Sequence, residues 1–305
     1  MKAVLSDTPF SDPDWLFERK LDGIRCGVVR RDGAAHLVSR RGEGLDGAYP
    51  ELVDALAGGA DLIADGEIVA FKGSATSFER LQGRMQIRDP QRARRSRIAV
   101  YFYLFDLLEL DGRDLRELPL RERKRELRAA VAFRGRIRFT SYRVGAGEEA
   151  YKHACAHGWE GLIAKRADSP YAATRSRDWL KLKCSRAQEL VIVGWTAPKG
   201  TRKRLGAILV GYWEGGELRY AGKVGTGFDA ATLERLGDEL ERRERDDPPV
   251  RGDGLPRGAR WAEPELVAQI AFTEWTRDGR LRHPRYQGLR DDKPAREVVR
   301  ERPGA

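Results

Sequence analysis

An α+β fold in two parts is predicted for this chain. Three observations predict it: runs of strand length outnumber helical segments, turn residues separate neighbouring runs at hairpin spacing, and the pattern changes near Ala187. At 305 residues the chain exceeds one ordinary hydrophobic core, so two domains are expected, 1–187 and 188–305.

In the first part, Trp15 to Arg25 alternates apolar and charged residues and passes into Cys26 to Gly33, where Asp32-Gly33 signals a hairpin turn. Leu37 to Gly42 is the partner strand and Leu62 to Ala70 another. Ile98 to Leu110, apolar and aromatic throughout, is the candidate central strand buried on both faces. Helical composition or spacing marks Tyr49 to Gly58, Arg116 to Ala132 and Gly147 to His157, with Leu120, Leu127 and Val131 on one apolar face of the second. In the second part, Glu189 to Trp195, Ala207 to Trp213 and Leu218 to Val224 are short strands divided by glycine-rich turns. A helix over Ala230 to Arg245 interrupts them, and Leu266 to Thr276 is the last strand-like run. Short strands around one helix in about 100 residues describe a small barrel of the OB type.

Lysine and arginine outnumber aspartate and glutamate by 57 to 47, for a net charge of +10, which favours a polyanionic partner such as nucleic acid. The basic clusters Arg92-Ala93-Arg94-Arg95-Ser96-Arg97 and Thr201-Arg202-Lys203-Arg204 read as loops, either solvated or gripping phosphate. No apolar run reaches the length of a membrane span, and the first residues lack a secretory signal, so a cytoplasmic protein with no membrane partner is expected. Cys26, Cys155 and Cys184 are odd in number and far apart, and they read as reduced, buried thiols rather than a disulfide framework or zinc site.

The stretch with most chemical content is Lys20-Leu21-Asp22-Gly23. A Lys-x-Asp-Gly match arises by chance about once in 8,000 positions. A lysine attacks the α-phosphorus of a nucleoside triphosphate only when neutral, so its site is expected to lower its pKa by desolvation or by nearby cations, for which Arg25, Lys181 and Lys183 are candidates. Lys181 and Lys183 are spaced by two in Trp179 to Lys183. On a strand their amines share one face while Leu180 and Leu182 point inward, although alone this also describes a wet basic face. Glu67 and Glu160, each beside glycine, are candidate hard-oxygen metal ligands; read singly, either is equally a solvated turn carboxylate. Phe105 is a core aromatic or a wall on which a purine stacks.

Taken in order, these segments resemble the covalent nucleotidyltransferase superfamily of ATP-dependent DNA ligases and mRNA capping enzymes. Phe17 to Arg25 matches the nucleophile motif, and Ser39 to Gly42, Asp65-Gly66-Glu67, Phe102 to Leu108, Glu160 to Lys165, Trp179 to Lys183 and Gly288 to Lys293 match those that follow. Within the superfamily the chain is most similar to the ligase domain of bacterial DNA ligase D, notably in Pro198-Lys199-Gly200, Tyr220 to Phe228 and Phe272 to Thr276. The resemblance implies a nucleotidyltransferase domain of ATP-grasp-like antiparallel sheets with helices, followed by an OB-fold domain. It implies that Lys20 becomes adenylated by ATP, Glu18 faces the adenine amino group, Phe105 stacks on the base and Arg25 meets ribose or the DNA 5′-phosphate. Glu67 and Glu160 would serve ribose and a magnesium or manganese ion, Lys181 and Lys183 the α-phosphate, and Arg40 the DNA phosphate. Arg290 and Lys293 would orient the pyrophosphate, in a domain swing about Ala187. The implied partners are nicked or broken double-stranded DNA and an end-binding protein such as bacterial Ku; a monomer is expected. The polymerase and phosphoesterase modules that commonly accompany that ligase domain have no counterpart in these 305 residues. An RNA ligase or GTP-using capping enzyme, and a non-catalytic nucleic-acid module, are the rival readings.

Overall fold

In the computed structural model, which describes residues 1–184, 187–198 and 204–302, Asp32 and Gly33 take φ of 49° and 77°. They join the antiparallel strands Ile24–Arg31 and Ala34–Ser39 by the expected two-residue turn. Contacts divide the chain into two compact units, Met1–Cys184 and Ser185–Glu301.

The first unit carries two sheets. One has the spatial order Lys2–Leu5, Arg175–Lys183, Gly161–Arg166, Trp15–Arg19 and Tyr142–Val144. The other runs Ala34–Ser39, Ile24–Arg31, Leu62–Lys72, Val100–Leu110 and Arg113–Asp114, with Ala75–Thr76 on the third of these and Ile137–Phe139 on the fourth. Its core includes Val28, Leu37, Leu62, Ile68, Phe102 and Leu104, with Leu52 and Leu56 from the helix Pro50–Leu56 and Leu127 from the helix Leu120–Ala130. Val100–Leu110 is central as expected, but its alternation breaks at Phe105. Gly66 pairs with Leu104 and Asp65 with Asp106, so Phe105 is an extra residue without a cross-strand partner. This bulge turns the Phe105 ring away from the Phe102 and Leu104 core into a separate cluster with Met1 and Trp179.

Two helices were not legible in the sequence. Phe78–Met85 starts at Ser77, whose hydroxyl accepts from the Arg80 amide, and Pro90–Arg94 starts at Asp89, whose carboxylate accepts from the Arg92 amide. The basic cluster at 92–97 is therefore not all loop. Its first three residues end a helix, and Arg94 pairs with Asp54 at 2.6 Å.

The cysteine expectation is corrected. Cys155 and Cys184, half-buried with Cα atoms 5.2 Å apart, form a disulfide, and only Cys26 is a free, buried thiol. Their separation of 29 residues conceals that the helix Gly147–Ala156 ends against the end of the strand Arg175–Lys183. Ala150 and Ala154 of that helix pack with Phe17, Leu162 and Leu182.

In the second unit, Ala187–Thr196, Ala207–Glu214 and Glu217–Val224 form an antiparallel meander followed by the helix Ala230–Glu241. Val267–Ala271 returns to pair with the first strand, and Arg285–Leu289 pairs with Val267–Ala271. A meander, a helix and a return to the opening strand give OB-fold connectivity. The opening strand is buried on both faces: Leu190 and Ile192 enter one core, Val191 and Val193 the other. The run Leu266 to Thr276 is two strands, Val267–Ala271 and Glu274–Trp275. Of the second basic cluster only Arg204 lies among the described residues, where it pairs with Glu234, Asp238 and Glu241 of the helix. Lys199 and Gly200 also lie outside them.

Candidate active site

Lys20 follows directly on the strand Trp15–Arg19, and its amide donates to the Gly161 carbonyl at 2.9 Å. The rest of the Lys-x-Asp-Gly motif anchors this turn. The Asp22 carboxylate accepts from the amide of Phe78, the first residue of the helix Phe78–Met85, at 2.9 Å, and the Asp22 amide donates to Thr76 Oγ1. Gly23 is required because a Cβ there would lie 2.2 Å from the Ile68 carbonyl oxygen. Gly161, at φ 143°, is likewise pressed against Leu182. These close approaches bring Lys20 and Glu160 together, with Lys20 Nζ 2.5 Å from Glu160 Oε2.

Beside this pair opens a pocket of about 130 Å³ between the two sheets, lined by Glu18, Lys20, Arg25, Glu67 and Phe105 together with Ala3, Arg19, Leu21, Thr140, Ile163, Lys165 and Trp179. Glu18 is buried between two lysines, 2.6 Å from Lys124 and 2.7 Å from Lys165. Lys124 also donates to the carbonyls of Phe105 and Thr140. Lys165 Nζ lies 4.2 Å from the centre of the Phe105 ring and 4.0 Å from a ring of Trp179. Arg25 is held by Asp65, with Nε donating at 2.9 Å, by the Met1 carbonyl at 2.6 Å and by Tyr171, whose hydroxyl in turn donates to Asp65 at 2.8 Å.

The electrostatics correct one expectation. Burial pulls the Lys20 amine down, but Glu160, with Asp22 and Glu67 behind it, outweighs burial and leaves its pKa raised. Arg25 does not supply the opposing field, because Asp65 holds it as an ion pair. Lys20 is thus kept as an ammonium. Lys165 behaves oppositely: burial, with Lys124 adding to it, pulls it down to about 8 despite Glu18.

Lys181 and Lys183 lie on the same face of their strand as Trp179, with Leu180 and Leu182 packed in the opposite core, as the spacing predicts. Lys183 is in register with Gly161 and Lys181 with Ile163. Neither lines the pocket. Arg40 is exposed in the turn after Ala34–Ser39 and is also outside it. In the second unit, Arg290 makes a two-point pair with Asp292 at 2.9 Å, and Lys293 pairs with Glu189 at 3.0 Å.

The model described as "ATP dependent DNA ligase domain" matches residues 4–183, and that described as "ATP dependent DNA ligase C terminal region" matches residues 201–293. The chain belongs to the ATP-dependent DNA ligase family. The multifunctional non-homologous end joining protein LigD of Pseudomonas aeruginosa is 38% identical over 304 residues, covering 95% of this chain and 35% of that protein. The LigD of Mycobacterium tuberculosis is 38% identical over 296 residues, 94% of this chain and 37% of that one. The chain therefore spans little more than a third of the length of those relatives. Among solved structures, "mycobacterial DNA ligase D complexed with ATP and MES" aligns at TM-score 0.69 with 35% identity, over 99% of this chain and 97% of the other. The ligase domain of M. tuberculosis LigD aligns at 0.51 with 35% identity, over 99% and 96%.

Sequence reasoning passed over Lys124, Lys165, Trp179 and Thr140 as site residues. One signal was readable. On the helix Leu120–Ala130 the inward positions are Leu120, Arg123, Lys124 and Leu127, so two cations stand where the helical period asks for apolar side chains, and each needs a buried carboxylate. Those carboxylates are Asp106, 2.7 Å from Arg123, and Glu18.

For a metal, Glu67 and Glu160 offer carboxylate oxygens, and no group of three or more His, Cys, Asp or Glu ligands occurs among the described residues. Two carboxylates completed by substrate phosphates and water suit magnesium, which keeps several non-protein ligands.

Proposed function

We propose that this ligase joins a 5′-phosphate to a 3′-hydroxyl in duplex DNA through Lys20. Lys20 first gives up its ammonium proton to solvent; the neutral amine attacks the α-phosphorus of ATP, a phosphorus–nitrogen bond forms as the bond to pyrophosphate breaks, and the nitrogen's surplus proton passes to solvent. AMP then passes to the DNA 5′-phosphate, and the 3′-hydroxyl displaces it. The observation that carries the reading is the Lys20–Glu160 contact at the edge of a pocket walled by Phe105 and Trp179.

Phe105 and Trp179 supply the aromatic surface for the base, and Glu18, clamped by Lys124 and Lys165, supplies its polar edge. Arg25, fixed by Asp65, would meet ribose from the pocket wall, Lys181 and Lys183 would reach phosphates that extend beyond the pocket, and Arg40 would contact DNA. Bound magnesium or manganese, held by Glu67 and Glu160, would neutralise phosphate charge. Recruiting Glu160 to that role also frees the Lys20 amine from the carboxylate that keeps it protonated. For Arg290 and Lys293 to engage pyrophosphate, each would exchange Asp292 or Glu189 for phosphate oxygens. Likeness to end-joining LigD proteins extends the reading to double-strand breaks presented by an end-binding partner such as bacterial Ku.

Incubation with ATP and magnesium followed by intact-mass measurement tests the proposal. An AMP adduct is expected on the wild type and absent from Lys20→Ala, with ATP preferred over GTP. An adduct that persists in Lys20→Ala, or none on the wild type, refutes it.

A further inference from the structure

Thr140 is 4% exposed, lines the pocket and lies outside every motif of the sequence. Its backbone is satisfied: the amide donates to the Leu104 carbonyl at 2.9 Å, and its carbonyl accepts from Lys124. Its hydroxyl is buried with no hydrogen-bond partner among the described residues. Native proteins rarely leave such a group unmet, because desolvation goes uncompensated. The exception is not isolated, since Trp179 Nε1 and Arg19 Nε, from two other residues lining the same pocket, are also buried without a partner. Three residues from two strands and a loop thus line one cavity while each carries an unmet polar atom, as expected where a polar ligand completes a site.

We infer that the Thr140 hydroxyl is a specificity-determining group that accepts a hydrogen bond from the 6-amino group of the adenine. This rests on the reading of the cavity as the nucleotide site. The chemistry of the surroundings favours an acceptor role. Both Glu18 oxygens are engaged by Lys124 and Lys165, whose ammoniums are donors. Beside that carboxylate the hydroxyl oxygen offers a second, neutral acceptor for an exocyclic amine that a purine presents at its edge.

The test measures initial rates of lysyl-nucleotide formation by intact mass with two probes, ATP and purine riboside triphosphate, which lacks the 6-amino group. Thr140→Val keeps the shape and removes the hydroxyl. It should raise the KM for ATP about 3- to 10-fold with kcat little changed and the melting temperature unchanged or higher, since an unmet buried hydroxyl is lost. Thr140→Ser should restore the wild-type KM. Against purine riboside triphosphate, Thr140→Val and wild type should behave alike. An unchanged KM for ATP in Thr140→Val, or an equal penalty with both probes, overturns the inference. Should Thr140→Val fail to fold, equal KM values of the wild type for the two probes overturn it independently. Absence of any adduct on the wild type would instead strike at the nucleotide-site reading itself.

Discussion

As the proposed nucleophile, Lys20 is stored in its inactive protonation state. An amine beside Glu160 is an ammonium at neutral pH, whereas attack on phosphorus requires its lone pair. Because the shift is upward, the neutral fraction grows about tenfold per pH unit until the raised pKa is reached. Single-turnover adenylation at limiting nucleotide should accordingly rise with pH through the range above neutrality. Glu160→Gln removes the carboxylate charge, so the same profile should move to lower pH, and if Glu160 holds a metal as proposed its plateau should fall. A profile that stays in place would show that Glu160 does not hold the proton. Asp65 carries the opposite sign. Burial pushes its carboxyl up, but Arg25 and Tyr171 more than reverse this and leave its pKa lowered. The stability it contributes is present above the ordinary aspartate pKa and lost as pH falls below that towards the folded value. Urea midpoints should decline on acidification into that range, and Asp65→Asn should flatten the decline.

At the scale of elements, the helix Leu120–Ala130 does more than cover a sheet. Arg123 and Asp106 are fully buried, and the guanidinium also donates to the carbonyls of Leu118 and Ser169. Removing one partner strands the other charge away from water, so Asp106→Asn should lose about 3–5 kcal/mol in denaturant unfolding. A loss below about 1 kcal/mol would mean that solvent reaches the pair. Elements were legible wherever a period was clean: the Asp32-Gly33 hairpin, the helix Gly147–Ala156 and the meander of the second unit are read directly from turn residues and alternation. The helix Phe78–Met85 was not, although Phe78 and Leu81 are buried at helical spacing, because eight residues offer too few repeats to separate a helix from a loop. The bulge at Phe105 was equally hidden. Bulging is set by pairing with Leu62–Lys72, which no local window contains.

At the scale of the whole molecule, the net charge of +10 predicts that the proposed binding to nucleic acid is salt-dependent. If six or more phosphates are neutralised, affinity for nicked DNA should drop about 1,000-fold or more between roughly 50 and 200 mM salt. Electrophoretic shift or fluorescence anisotropy across that series checks it, and a flat dependence would remove the electrostatic grip. The Cys155–Cys184 bond closes a loop within the first unit. Alkylation of unreduced, denatured protein should label one cysteine, Cys26, and alkylation after reduction all three. Three labels without reduction would place both cysteines as thiols in solution, as a reducing compartment favours.

What the sequence determined by itself was local: the strand and turn grammar, the charge imbalance, and the motif residues Lys20, Glu67, Phe105 and Glu160, whose order resembles that of the nucleotidyltransferases. Tertiary structure alone decided which charges meet. Lys20 with Glu160, Glu18 with Lys124 and Lys165, Arg25 with Asp65, and Cys155 with Cys184 are pairs from distant segments. The physical reason is that protonation state, hydrogen-bond satisfaction and thiol pairing depend on distances of a few ångströms and on burial. Those quantities exist only once the two sheets have closed over the pocket.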